Sequence, residues 1–139
     1  MLLAMKKRGF GQGRWNGAGG KPQPGETIEQ AAIRETAEEI GVTPISLKRM
    51  ATLDFYFPHN HDNNQQVVVF LVEKWQGEPK ETEEMKCQWF ETNKLPLDSM
   101  WSSDSHWLPK VLKKVTLRAE FLYDRNHQIL DFKIEDGAC

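Results

Sequence analysis

Gly20-Lys21-Pro22-Gln23-Pro24-Gly25-Glu26-Thr27-Ile28-Glu29-Gln30-Ala31-Ala32-Ile33-Arg34-Glu35-Thr36-Ala37-Glu38-Glu39-Ile40-Gly41-Val42 is a loop running into a helix, and its reading decides the fold. Thr27 with Gln30 three residues on forms a capping-box signature that satisfies the first N–H groups of the helix. Gly41 stands where a terminating glycine belongs, and Pro44 follows. Ile33, Ala37 and Ile40 fall at helical spacing and predict a core-facing stripe. Opposite them, Glu35, Glu38 and Glu39 share one face, because residues three and four apart are neighbours on a helix. Each such like-charged pair costs roughly 0.2–0.5 kcal/mol in an isolated helix. No lysine lies one turn from Glu35 or Glu39, so a divalent cation would turn that penalty into a binding site. Hard oxygen ligands favour Mg²⁺, with Mn²⁺ as a substitute. Arg34 can reach Glu38 one turn on and hold a carboxylate in place. A solvated acidic face is the plain explanation of three glutamates alone, and the loop before them argues against it.

Outward from this segment, the composition fits one compact domain spanning residues 1–139. Hydrophobic residues make up 39% and charged residues 27%, which is ordinary for a soluble chain. There is no apolar run of membrane-spanning length, and Met1–Met5 is too short for a signal peptide. Cys87 and Cys139 lack metal-ligand spacing, so reduced thiols in a cytoplasmic protein are expected. A net charge of −2 speaks against a nucleic-acid polymer as partner, and Lys6-Lys7-Arg8 and Lys113-Lys114 read as solvated surface. No membrane partner is expected, and a monomer is. Gly17–Lys21 is no P-loop, because the Gly-Lys-Ser/Thr ending is missing.

The remaining pattern predicts strands around two helices, an α/β sandwich with a mixed sheet. Leu2–Met5 reads as a strand. Leu53, Phe55 and Phe57 alternate with polar residues, and Pro58–Asn64 reads as a turn. Val67–Val72 is continuously apolar, which suits a strand covered on both faces. A break is expected at Gln76–Pro79 and a short strand from Gln88 to Phe90. Ser105–Lys114 reads as a second helix, with Pro109 tolerated only in its early turns. A hairpin closes the chain, Thr116–Leu122 and Ile129–Ile134 around Asp124-Arg125-Asn126.

Gly20, Glu26, Arg34, Glu35, Glu38, Glu39 and Gly41 stand at the spacing of G-x5-E-x7-R-E-U-x-E-E-x-G-U, where U is bulky and aliphatic. The segment therefore resembles the Nudix box, with Thr36 in place of the usual aliphatic residue. The likeness extends through Lys6–Gly11, Gly13–Gly17, Trp89-Phe90 and Met100–Trp107, and these resemble the oxidised purine nucleoside triphosphatase (8-oxo-dGTP diphosphatase) subfamily. The resemblance runs from about Leu2 to Ile134. It implies the Nudix α/β/α sandwich and Mg²⁺-dependent hydrolysis of a purine nucleoside triphosphate to monophosphate and pyrophosphate, a nucleotide-pool cleansing that prevents DNA damage.

The same resemblance implies residue roles. Glu35, Glu38, Glu39 and Glu84 would ligate metal, with a backbone carbonyl at Gly19 or Gly20. Glu38 and Glu84 compete as the base that takes the proton of the attacking water, and Arg34 completes the catalytic set by orienting carboxylates. Lys6 corresponds to a phosphate contact, and Ala18, Gly19, Gly20 and Lys21 line the substrate side of the loop. Asn16 and Asp104 match purine-edge contacts, Trp101 the indole that stacks on the base, and Phe10, Phe55, Phe57 and Trp107 aromatic pocket positions. Strand phenylalanines and helix tryptophans are otherwise plain core. An aspartate against aromatic rings has its charged form disfavoured, so Asp104 is expected neutral enough to donate a hydrogen bond.

Two departures stand out. Where the subfamily has paired aspartates, this chain has Ser103-Asp104, so the preference among 8-oxoguanine, oxidised adenine and guanine is open. The subfamily also has a strand before the position of Leu2 that is missing here. Either the coding region begins further upstream or an edge of the sheet needs cover. Two other readings stay on the table: a Nudix hydrolase of another nucleoside diphosphate derivative, and a non-catalytic nucleotide-binding module.

Overall fold

The computed structural model describes residues 1–139 as two compact units. The first comprises residues 1–47 and 72–100, the second residues 48–71 and 101–139.

In the first unit, β1 (Leu2–Lys6) lies between β2 (Trp15–Asn16) and β7 (Met85–Trp89) in an antiparallel sheet. Leu2–Lys6 is thus paired along its whole length with β7 but only at Ala4 and Met5 with β2, and the edges of this sheet are β2 and β7. The helix α1 (Ile28–Ile40) packs against β7 and against β3 (Thr43–Pro44), which pairs with β6 (Trp75–Gln76). Its ends follow local chemistry. Thr27 Oγ1 accepts from Gln30 N, Gln30 Oε1 accepts from Thr27 N, and Gly41 closes the helix at φ 74°. The expected stripe is narrower than its spacing suggests. Ala31 and Ile40 are fully buried, whereas Ile33 and Ala37 are half-buried. Ile40 joins Ala4, Val42 and Met85 in the core, with Leu2, Ala18 and Cys87 packed at its margin.

In the second unit, β4 (Lys48–Tyr56), β5 (Gln65–Leu71), β8 (Leu117–Tyr123) and β9 (Ile129–Asp136) form a sheet in the order β5-β4-β8-β9. It is mixed, because β4 and β8 run parallel while the other pairs are antiparallel. The helix α2 (Asp104–Leu112) packs on β8. Leu117, Ala119, Phe121 and Tyr123 alternate inward along β8, and Leu108 and Val111 of α2 are buried with them.

Two sequence expectations are corrected, and three short strands were not foreseen. The apolar run Val67–Leu71 lies on the edge strand β5 and is half-buried, rather than covered on both faces. The short strand expected from Gln88 begins at Met85, where pairing with β1 holds five residues in register. The two-residue strands β2, β3 and β6 escape periodicity altogether, being defined by distant partners. No helix is long and apolar enough to cross a membrane.

Candidate active site

Arg34 sits at the centre of the acidic face of α1. Its Nε donates to Glu26 Oε2 at 2.7 Å and its Nη2 to Glu26 Oε1 at 2.9 Å, a two-pronged pair that ties the loop to the helix. Its Nη1 donates to Glu35 Oε1 at 2.7 Å and to Glu38 Oε2 at 3.1 Å, and Nη2 also reaches the Lys21 carbonyl. The guanidinium bonds hold the Glu26 carboxyl down at about 2, helped by the Gln23 N–H. The same partners push the Arg34 pKa up. Arg34 thus bridges the carboxylates of Glu26, Glu35 and Glu38.

Glu39 is half-buried on the acidic face of α1. Burial comes first in raising its pKa; the neighbouring charges of Glu35 and Glu84 add to this, while the Gly19 N–H and Lys6 oppose it. Gly19 N donates to Glu39 Oε2 at 3.2 Å, drawing the loop over the helix. Gly20 is fitted still closer. A Cβ there would lie 2.4 Å from Glu35 Cδ and 2.6 Å from its Oε2, so only glycine leaves the carboxylate where it is. Glu84, on the bend before β7, is exposed and accepts from Arg8 Nη2 at 3.1 Å. The carboxylates are not drawn to one point as a finished ligand cage, because Arg34 holds Glu35 and Glu38. Lys6 ends β1, Asn16 is exposed on β2 with its Oδ1 accepting from Gly17 N, and Phe10 is exposed in the loop between them.

Apart from Phe10, which lies in the first unit, the aromatic candidates gather in the second unit. Phe57 stacks on Tyr123 at 5.1 Å and 10°, and Phe55 stacks on Phe121 and Tyr123. Trp101 meets Phe57 and Tyr123 edge-on, and His127 at 5.2 Å. Trp107 is buried and its indole N–H donates to Asp104 Oδ1 at 3.1 Å. Asp104 is only 4% exposed, and burial lifts its pKa to about 7 against the opposing bonds from Trp107 and Ser103. Its Oδ2 has no hydrogen-bond partner.

Ser103, expected at the purine edge, is fully buried, and it accepts from the Tyr123 hydroxyl. Sequence reading missed Tyr123, His59 and His127. The inward alternation of β8 could have exposed Tyr123, since a hydroxyl at an inward position needs a partner. His127 gave no signal, because its place depends on a left-handed turn, φ 59°, capped by Asp124 Oδ1.

The family model of the NUDIX domain matches residues 1–111, and the chain belongs to this family. Its sequence is 42% identical over 136 residues to the oxidized purine nucleoside triphosphate hydrolase of Danio rerio, covering 98% of this chain and 86% of that protein. The protein of the same description from Mus musculus is 40% identical, with the same coverage. The fold is similar to that of the MutT protein from Bacillus halodurans, with a TM-score of 0.80 over 96% of this chain and 88% of that one. At 23% identity this likeness speaks to fold alone.

Proposed function

We propose that the chain is a divalent-metal-dependent diphosphatase that hydrolyses oxidised purine nucleoside triphosphates such as 8-oxo-dGTP to the monophosphate and pyrophosphate. The observation that carries it is the first unit's array of carboxylates, organised by Arg34 and fitted to the bare backbone of Gly20. Two relatives at 40% identity or more, named for this activity, support the substrate class.

The donor set suits Mg²⁺ or Mn²⁺. It is all oxygen, and the charges of Glu35 and Glu84 act on Glu39 and help raise its pKa. Glu35, Glu38, Glu39 and Glu84, with the Gly19 or Gly20 carbonyl, would hold the ion, Glu38 turning away from its single 3.1 Å bond to Arg34. When bound, such an ion neutralises polyphosphate charge and acidifies water. The residues do the rest. Arg34 keeps Glu26 and Glu35 in register, Lys6 offers a positive charge to the phosphates, and Glu38 or Glu84 takes the proton of the attacking water. The second unit recognises the purine, with Trp101 for stacking and Asp104 Oδ2 for the base edge.

The two units act as one Nudix domain on this reading, a proposal supported by the family match, which runs through both. A monomer working on free nucleotides in the cytoplasm fits the net charge of −2. Pyrophosphate release is expected from 8-oxo-dGTP with Mg²⁺, falling at least a hundredfold in Glu38→Gln or Glu39→Gln, consistent with loss of a group that acts in the transition state. Release of a sugar phosphate from a nucleoside diphosphate sugar instead would favour a different Nudix substrate. Binding without turnover would make the chain a nucleotide-binding module.

A further inference from the structure

Asp104 Oδ2 has no protein partner although the residue is 4% exposed, and a buried polar atom left alone is costly unless something else engages it. Its sister oxygen is crowded. Oδ1 accepts from Trp107 Nε1 at 3.1 Å and from Ser103 Oγ at 3.5 Å. Ser103 stands at the N-cap of α2, where a serine ordinarily accepts from the helix backbone, but its side chain makes no capping bond there. The hydroxyl is instead occupied by Tyr123, twenty residues on, whose O–H donates to Ser103 Oγ. A hydroxyl that accepts from Tyr123 has its own hydrogen left to give, and Asp104 Oδ1 is where it points.

We propose that Tyr123 is a positioning residue for base recognition: through Ser103 it sets a second protein donor on Asp104 Oδ1, beside that of Trp107, and so reserves Oδ2 for a hydrogen bond to the purine edge. This deepens the proposed function and rests on its reading of Asp104 as the base contact. With Oδ1 already accepting two hydrogens, the proton of the neutral carboxyl sits on Oδ2. Oδ2 then donates to an acceptor such as a purine carbonyl; ionised, it accepts from an N–H. The groups facing the carboxyl are Ser103 and Trp107 from the helix side and Tyr123 from β8, and Tyr123 is the titratable one among them. Rigidity comes from the ring, since Tyr123 is held between Phe57, Phe55 and Trp101.

The test uses Tyr123→Phe, which keeps the ring stack and removes only the hydroxyl, beside Ser103→Ala and the double variant. For 8-oxo-dGTP, each single variant should raise KM roughly tenfold with kcat changed less than twofold, the size of effect one well-placed hydrogen bond has. The double variant should be no worse than either single one, because both break the same relay. The carboxyl carbon of Asp104, assigned by its loss in Asp104→Asn, is titrated by NMR in the protein without nucleotide. Its midpoint should move up in both single variants as the donation to Oδ1 weakens. An unmoved midpoint overturns the relay, as does a fall in kcat matching a fall in melting temperature with KM intact, the signature of a merely structural tyrosine. Should the wild type turn over no purine triphosphate, the titration still decides the relay, and what fails is the reading of Asp104 as a base contact.

Discussion

Gly20 shows how little room the acidic face allows. Its backbone angle is not of the left-handed kind, so alanine costs nothing there by conformation. The added Cβ would nonetheless sit 2.4 Å from Glu35 Cδ, and the carboxylate must leave. Gly20→Ala should therefore keep its melting temperature within about two degrees while kcat/KM falls at least tenfold, on the scale seen when groups supporting a metal site are disturbed. Equal activity in the two proteins would show that Glu35 does not need its present position. Asp104 makes a second case. Its carboxyl titrates near 7 when folded against an ordinary 3.8, so the folded state favours the neutral form. Stability from this residue is whole below about 4, declines as pH rises towards 7, and levels off above. The loss is on the order of 4 kcal/mol if the full shift is expressed. Urea midpoints at pH 5 and pH 8 should differ less in Asp104→Asn than in the wild type; the same difference in both would refute the burial argument.

Among the elements, α1 was legible in nearly every detail, because its determinants are local. Thr27, Gln30 and Gly41 lie within one or two turns of the groups they satisfy, and the structure returns all three bonds. Thr27→Ala should destabilise the protein by about 1 kcal/mol in a urea melt, the usual worth of such a cap. A change under 0.3 kcal/mol, taking that as roughly the noise between independent sites, would mean that packing alone holds the helix start. What stayed hidden was set by partners far along the chain. Val67–Leu71 reads as an interior strand by composition, yet sheet order makes it an edge, and order is not written in the run itself. The pairs Trp15-Asn16, Thr43-Pro44 and Trp75-Gln76 are too short for any period. Among the site candidates, Glu35, Glu38 and Glu39 were singled out by helical spacing and Asp104 by its match to the subfamily, its aromatic surroundings giving the expected rise in pKa. The bond from Tyr123 to Ser103 was not legible, because nothing around Ser103 announces a tyrosine twenty residues away. The grip of Arg34 on Glu26 was equally invisible, since seven residues of loop and helix lie between them.

Across the whole molecule, the proposed function assigns different residues of the two units to different work. The first holds the carboxylates and Lys6, and the second holds Trp101, Asp104 and Tyr123. Substitutions of the carboxylates should lower turnover of every nucleotide alike, and those of Trp101 and Asp104 should change KM and base preference while sparing kcat. Both expectations depend on the acidic face of α1 taking up a divalent cation for work on a polyphosphate. The direct measurement is pyrophosphate release from 8-oxo-dGTP as Mg²⁺ is titrated into chelator-stripped protein, wild type beside Glu39→Gln. Saturable release that appears only with Mg²⁺ and is lost in the variant is the outcome this structure predicts. Turnover that persists without divalent ion, or that Glu39→Gln leaves intact, would contradict it.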